Sequence, residues 1–149
     1  MSGKEYAERI LSARAQDSEQ RQWQIRKGEI LKSGIPVYWT QLCEYLRAQA
    51  KDFNSTLDVS EDFGLVVYAC DSFVTLTKKS SPVFLAKVSL LSTERVRVTT
   101  ETVVGLRPPD TVVHEYLFDV RLDGTIELDR KDYCTFAKDV FGAAAALFR

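Results

Sequence analysis

Residues 72–104 read SFVTLTKKSSPVFLAKVSLLSTERVRVTTETVV, and apolar and polar side chains alternate along most of that stretch. Val74 and Leu76 fall on one side, Thr75 and Thr77 on the other. Phe84, Ala86, Val88 and Leu90 share a side opposed to Lys87 and Ser89. Val96, Val98 and Val104 oppose Arg95, Arg97 and Glu101. A period of two belongs to extended strands with one wet face. The breaks at Lys79-Ser80-Ser81-Pro82 and Ser92-Thr93 are short and turn-forming, which joins the strands as an antiparallel meander.

The same period runs outward in both directions. Phe63 to Cys70 is a short apolar run closed by a turn at Asp71-Ser72. After the loop Gly105-Leu106-Arg107-Pro108-Pro109-Asp110, a strand from Thr111 to Leu122 places Val112, His114, Tyr116, Phe118, Val120 and Leu122 on one face. Val113, Glu115, Leu117, Asp119 and Arg121 take the other. Asp123-Gly124 is a strong hairpin signal, and the chain returns through Ile126 and Leu128.

Outside the strands the period becomes helical. Residues 4–32 are rich in good helix formers, with Glu5 and Arg9, and Asp17 and Arg21, four apart. The apolar stripe is broken there: Tyr6, Ile10 and Leu11 form one patch, Trp23, Ile30 and Leu31 another, and Ala13 to Gln22 offers little to bury. Such a helix lies loosely on a body or projects as an arm. Ser33-Gly34-Ile35-Pro36 predicts a stop, with Gly34 past the helix end and Pro36 in the first turn of a second helix. That helix carries Trp39, Leu42, Cys43, Leu46, Ala50 and Phe53 at three- and four-residue steps. A last helix, capped by Asp129, shows a wide stripe of Tyr133, Phe136, Ala137, Val140, Phe141, Ala144, Leu147 and Phe148.

The expectation is an α+β fold: an antiparallel meander of about five to six strands, covered on one face by helices, in the order α-α-β(5-6)-α. Residues 1–34 are expected to form an N-terminal helix or arm and residues 35–149 a single domain. The order resembles that of helix-grip ligand-binding folds, in which a curved sheet wraps a terminal helix, although those begin with a strand. That resemblance implies a pocket between sheet and helix. No motif in the chain names a family.

The chain has 149 residues, enough for one domain with a sizeable core. Lys and Arg number 20 against 21 Asp and Glu, for a net charge of −1. That balance gives no reason to expect a nucleic-acid or membrane partner. Three widely spaced cysteines, Cys43, Cys70 and Cys134, suit reduced thiols and a cytoplasmic setting better than a disulfide framework. The first residues lack the apolar stretch of a signal peptide.

No catalytic set, cofactor motif or metal pattern stands out. Asp58, Glu61 and Asp62 lack calcium-loop spacing. Arg95, Arg97, Lys87 and Arg121 share their face with acids rather than stacking aromatics, which suits cross-strand ion pairs. His114, the one histidine, reads as a core residue or, with Tyr116, as the polar lining of a pocket for a small apolar ligand. Cys134 would have to cross from the last helix to pair with it. The expected function is a non-enzymatic module for protein interaction or self-association, with no cofactor and no metal. Trp23, Ile30 and Leu31 on the first helix are its contact residues, with Arg107 in the 105–110 loop, a rim held by rigid strands. Val103, Val113 and Leu117 are apolar on the otherwise polar face, so that end of the sheet is a second place to meet another chain.

Overall fold

A computed structural model describes residues 2–92 and 94–148; Thr93, in one of the expected turns, lies outside them. The fold is α+β. One long helix, α1 (Gly3–Leu57), precedes six strands and a second helix. The strands are β1 (Leu65–Ala69), β2 (Phe73–Lys78), β3 (Val83–Leu90), β4 (Arg95–Val103), β5 (Asp110–Val120) and β6 (Ile126–Leu128), and α2 spans Tyr133–Ala145. They form one curled, fully antiparallel sheet in sequence order. The meander read from the period of two is the observed topology.

The register puts the alternating apolar positions side by side. Val74 lies opposite Val88, Val88 opposite Val98, Val96 opposite Tyr116 and Phe118 opposite Leu128. These residues bury in one cluster with Leu31, Ile35, Tyr38, Trp39, Leu42, Cys43 and Leu46 of α1 and Phe136 and Ala137 of α2. A second cluster joins Ala50, Leu65, Leu76, Phe84, Ala86 and Ala144, with Phe53, Leu147 and Phe148 packed against it. Phe53 meets Phe141 and Phe148 edge to face, at 5.7 and 4.8 Å between ring centroids, which adds to the area buried.

The expected stop at residues 33–36 is corrected by the structure: α1 runs through Pro36 as one helix of 55 residues, about 80 Å at 1.5 Å per residue. A proline inside a helix costs roughly 3 kcal/mol. Buried side chains on both sides of it, Leu31 and Ile35 before and Tyr38, Trp39, Leu42 and Leu46 after, each contribute on the order of 1.5–3 kcal/mol against the same sheet. Continuity of that stripe wins. Gly34 is not a terminator either. A Cβ built there would lie 2.0 Å from Ile126 Cδ1, so the glycine lets β6 approach the helix.

Helix α1 ends at Asp58, whose left-handed backbone (φ 53°) closes on the carbonyls of Asn54 and Ser55. The expected cap of α2 also moves. Asp129 and Arg130 both have positive φ and make the tight turn that brings Lys131 back onto Leu128. Asp132 is the cap, its side chain accepting from the Thr135 N–H at 2.7 Å. The turn occupies the residue that sequence reading assigned to capping.

Candidate functional site

Among the described residues, two of the regions that leave apolar side chains uncovered bear on function. The first is the beginning of α1. Ser2 caps it in a reciprocal box with Glu5, and every residue from 3 to 22 is exposed. Those residues project about 30 Å as bare helix. Tyr6, Ile10 and Leu11 are 57%, 54% and 62% exposed. Tyr6 precedes Leu42, and Ile10 precedes Leu46, by about ten turns at 3.6 residues per turn. The helix face that docks on the sheet therefore resumes at the tip of the arm, after a polar interval at Asp17, Gln20 and Gln24.

The expected contact residues Trp23, Ile30 and Leu31 come together, but against the chain's own core. Leu31 is buried, and Trp23 and Ile30 are half-buried beside it. Lys27 fixes the base of the arm through an ion pair to Asp119 of β5. That lysine, with the Val120 N–H, holds the Asp119 carboxyl below the usual carboxylate range.

The second region is the β4–β5 end of the sheet. Leu106, at the tip of the turn closed by the Arg107 N–H on the Val104 carbonyl, is fully exposed, and Arg107 beside it is exposed. His114 is exposed and lies opposite Val98, with its ring 6.2 Å from that of Tyr116. Tyr116 is half-buried and packs edge to face on Phe136 at 5.6 Å. On the other face Val113 and Leu117 are exposed, and Arg97 bonds Glu115 at 2.8 Å, a cross-strand ion pair of the expected kind. Arg107 lies beyond one end of β5 and Leu31 packs near the other, roughly 25 Å apart along the strand. The structure thus keeps His114 and Tyr116 together and apart from the arm. Leu106 and the open backbone of β5 were not singled out by sequence reading. The long strand facing a very short β6 is the signal that would have found them.

Several other titratable groups are shifted by their surroundings. Burial raises the Tyr38 hydroxyl well above its ordinary value while it donates to the Lys131 carbonyl at 3.0 Å. Burial pushes the Cys43 thiol up to about 11, whereas the Ser72 hydroxyl lowers Cys70. Burial first, and then the neighbouring Cys134 thiol, raise the Tyr45 hydroxyl above its ordinary value. The Lys78 ammonium is buried, donates to the Ser80 and Pro82 carbonyls at 2.8 and 2.9 Å, and is shifted down by desolvation. Among the described residues no cluster of His, Cys, Asp and Glu is placed to hold a metal ion, and no helix is long and apolar enough to cross a membrane.

Comparison with protein-family models, with curated proteins and with solved structures finds no match to this chain.

Proposed function

We propose that this protein is a non-enzymatic interaction module that engages a protein partner through the first twenty-odd residues of α1. The observation that carries the reading is Tyr6 and Ile10, exposed on a bare helix and in phase with the buried face of α1. An isolated helix of that length is marginal in water without tertiary contacts. Among the described residues, the arm's one internal ion pair, Lys4 with Glu8 at 4.0 Å, is exposed and contributes little. A helix with an apolar patch at its tip and no surface of its own chain beneath it gains stability by laying that patch into another protein.

The test is removal of residues 2–22, which leaves Trp23, Ile30 and Leu31 in the core. Under this reading the truncated protein loses retained partners or changes its assembly mass in native mass spectrometry. Its urea midpoint stays close to that of the full chain. Unchanged mass and unchanged retained partners sink the reading.

A further inference from the structure

The two edges of the sheet are treated differently. In β1 the groups facing away from β2 belong to Leu65, Val67 and Ala69, because Cys70 donates to the Phe73 carbonyl and so sets the parity. Helix α1 covers that edge. Asn54 takes both the N–H and the C=O of Leu65 at 2.8 Å, and Arg47 reaches the Ala69 carbonyl at 3.5 Å.

At the other edge, β6 pairs only with Phe118, Asp119 and Val120 of β5. Phe118 donates inward to the Glu94 carbonyl. By alternation the even residues of β5 bond β4, and Thr111, Val113, Glu115 and Leu117 point their backbone groups outward. Among the described residues nothing bonds the N–H or C=O of Thr111, Val113 or Glu115. The Leu117 carbonyl alone is taken, by the Asp129 N–H at 3.4 Å. Residues 111–115 are all exposed. A long free edge of this kind is a template for another strand.

We infer that two copies of this chain pair antiparallel through the free edge of β5, about a two-fold axis at Val113. The open groups fit that register. With Val113 opposite Val113, Thr111 stands opposite Glu115, and every open N–H and C=O of the three residues finds a complement. The pairing ends at Glu115, because Asp129 of the same chain lies against Leu117 with its N–H on the Leu117 carbonyl. An axis at Glu115 would set Val113 and Thr111 against Leu117 and Asp119, which Asp129 and β6 already cover, and would oppose two glutamates. An axis at Thr111 would set Val113 against Pro109, which has no N–H.

Side chains agree with the same register. Val113 meets Val113 on the outer face, Val112 meets His114 on the inner face, and no like charges stand directly opposite. The pairing is independent of the arm.

The test is the mass of the full chain by light scattering across a concentration series, with two substitutions at the axis. The Val113 N–H bonds nothing within the chain, so Val113→Pro leaves the β4–β5 ladder intact. It is expected to weaken the dimer at least ~tenfold by removing the central bonds. Val113→Cys is expected to give a covalent dimer under mild oxidation beyond any formed by the unsubstituted chain, because directly opposed strand residues fall within disulfide reach. Thr111→Cys, displaced from its copy along the strand, is expected to give none. A single-chain mass at every concentration overturns the inference. So does a dimer indifferent to Val113→Pro that Val113→Cys does not cross-link. A dimer lost on Ile10→Glu but kept in Val113→Pro also overturns it, and leaves the arm reading standing.

Discussion

Asn54, near the end of α1, holds Leu65 of β1 as a neighbouring strand would: its Oδ1 accepts the Leu65 N–H and its Nδ2 donates to the Leu65 carbonyl, both at 2.8 Å. Leu65 is 1% exposed, so water does not replace either bond. Asn54→Ala is expected to cost about 2–3 kcal/mol, the penalty for stranding a buried donor and acceptor. Urea denaturation reads this as a lower midpoint at unchanged slope.

Gly64 makes a coupled prediction. A Cβ there would lie 2.0 Å from Asn54 Oδ1, so Gly64→Ala displaces the amide that bonds Leu65. The two substitutions break the same contact. The double variant is expected to be less destabilised than the sum of the singles by about 1 kcal/mol or more, the size of coupling seen between residues in one network. Additive losses would mean that Gly64→Ala acts elsewhere.

The continuity of α1 is open to an equally direct measurement. With Pro36 inside the helix, Pro36→Ala restores an N–H able to bond the Lys32 carbonyl and removes the ring from the preceding turn. Up to about 3 kcal/mol is expected in favour of the variant. If a helix began at Pro36, the same change would be neutral or slightly destabilising, since proline suits a first turn. Thermal denaturation decides between them.

Pro36 and Gly34 also mark where sequence reading reached its limit. The strands were legible because a period of two needs only neighbouring residues, and Val74, Leu76, Val88, Val96 and Val98 fall inward as their alternation implied. Pro36 and Gly34 were misjudged because their local propensities were weighed without Leu31, Ile35 and Tyr38 pressing on one sheet. The stop signal and the close-approach glycine look identical until Ile126 is placed beside Gly34. In the candidate regions, Tyr6, Ile10 and Leu11 were legible as a patch with nothing beneath it. Trp23, Ile30 and Leu31 looked equivalent, but helix phase and the position of β5 turn them inward. The open groups at Thr111, Val113 and Glu115 follow from ladder parity, which no residue type reports.

Gly34 itself carries a compensating pair. Gly34→Ala gains about 1 kcal/mol of helix propensity, but its Cβ meets Ile126 Cδ1 at 2.0 Å. Overpacking of this kind costs about 1–3 kcal/mol, so the single variant is expected to be net destabilised. Ile126→Val removes the clashing carbon. In that background Gly34→Ala is expected to stabilise the protein, a reversal of sign that a plain loss of helix geometry would not produce. Urea midpoints of the four proteins check it.

Asp132 gives the pH dependence its sign. Its carboxylate accepts the Thr135 N–H at 2.7 Å, and that bond is the first cause holding its pKa below the ordinary carboxylate value. A carboxyl depressed in the folded state stabilises the protein above its unfolded pKa of about 3.9, and that contribution is lost as pH falls through the lower folded value. Asp132→Ala is therefore expected to cost about 1 kcal/mol at pH 7, the usual worth of an N-cap. The gap between the two proteins should narrow as pH drops below about 4, because protonation removes from the wild type what the substitution has already removed. Asp129→Ala serves as the contrast, since Asp129 sits in the preceding turn and does not cap α2. A pH-independent gap for Asp132→Ala would show that its loss reflects packing around Tyr133 rather than the charged cap.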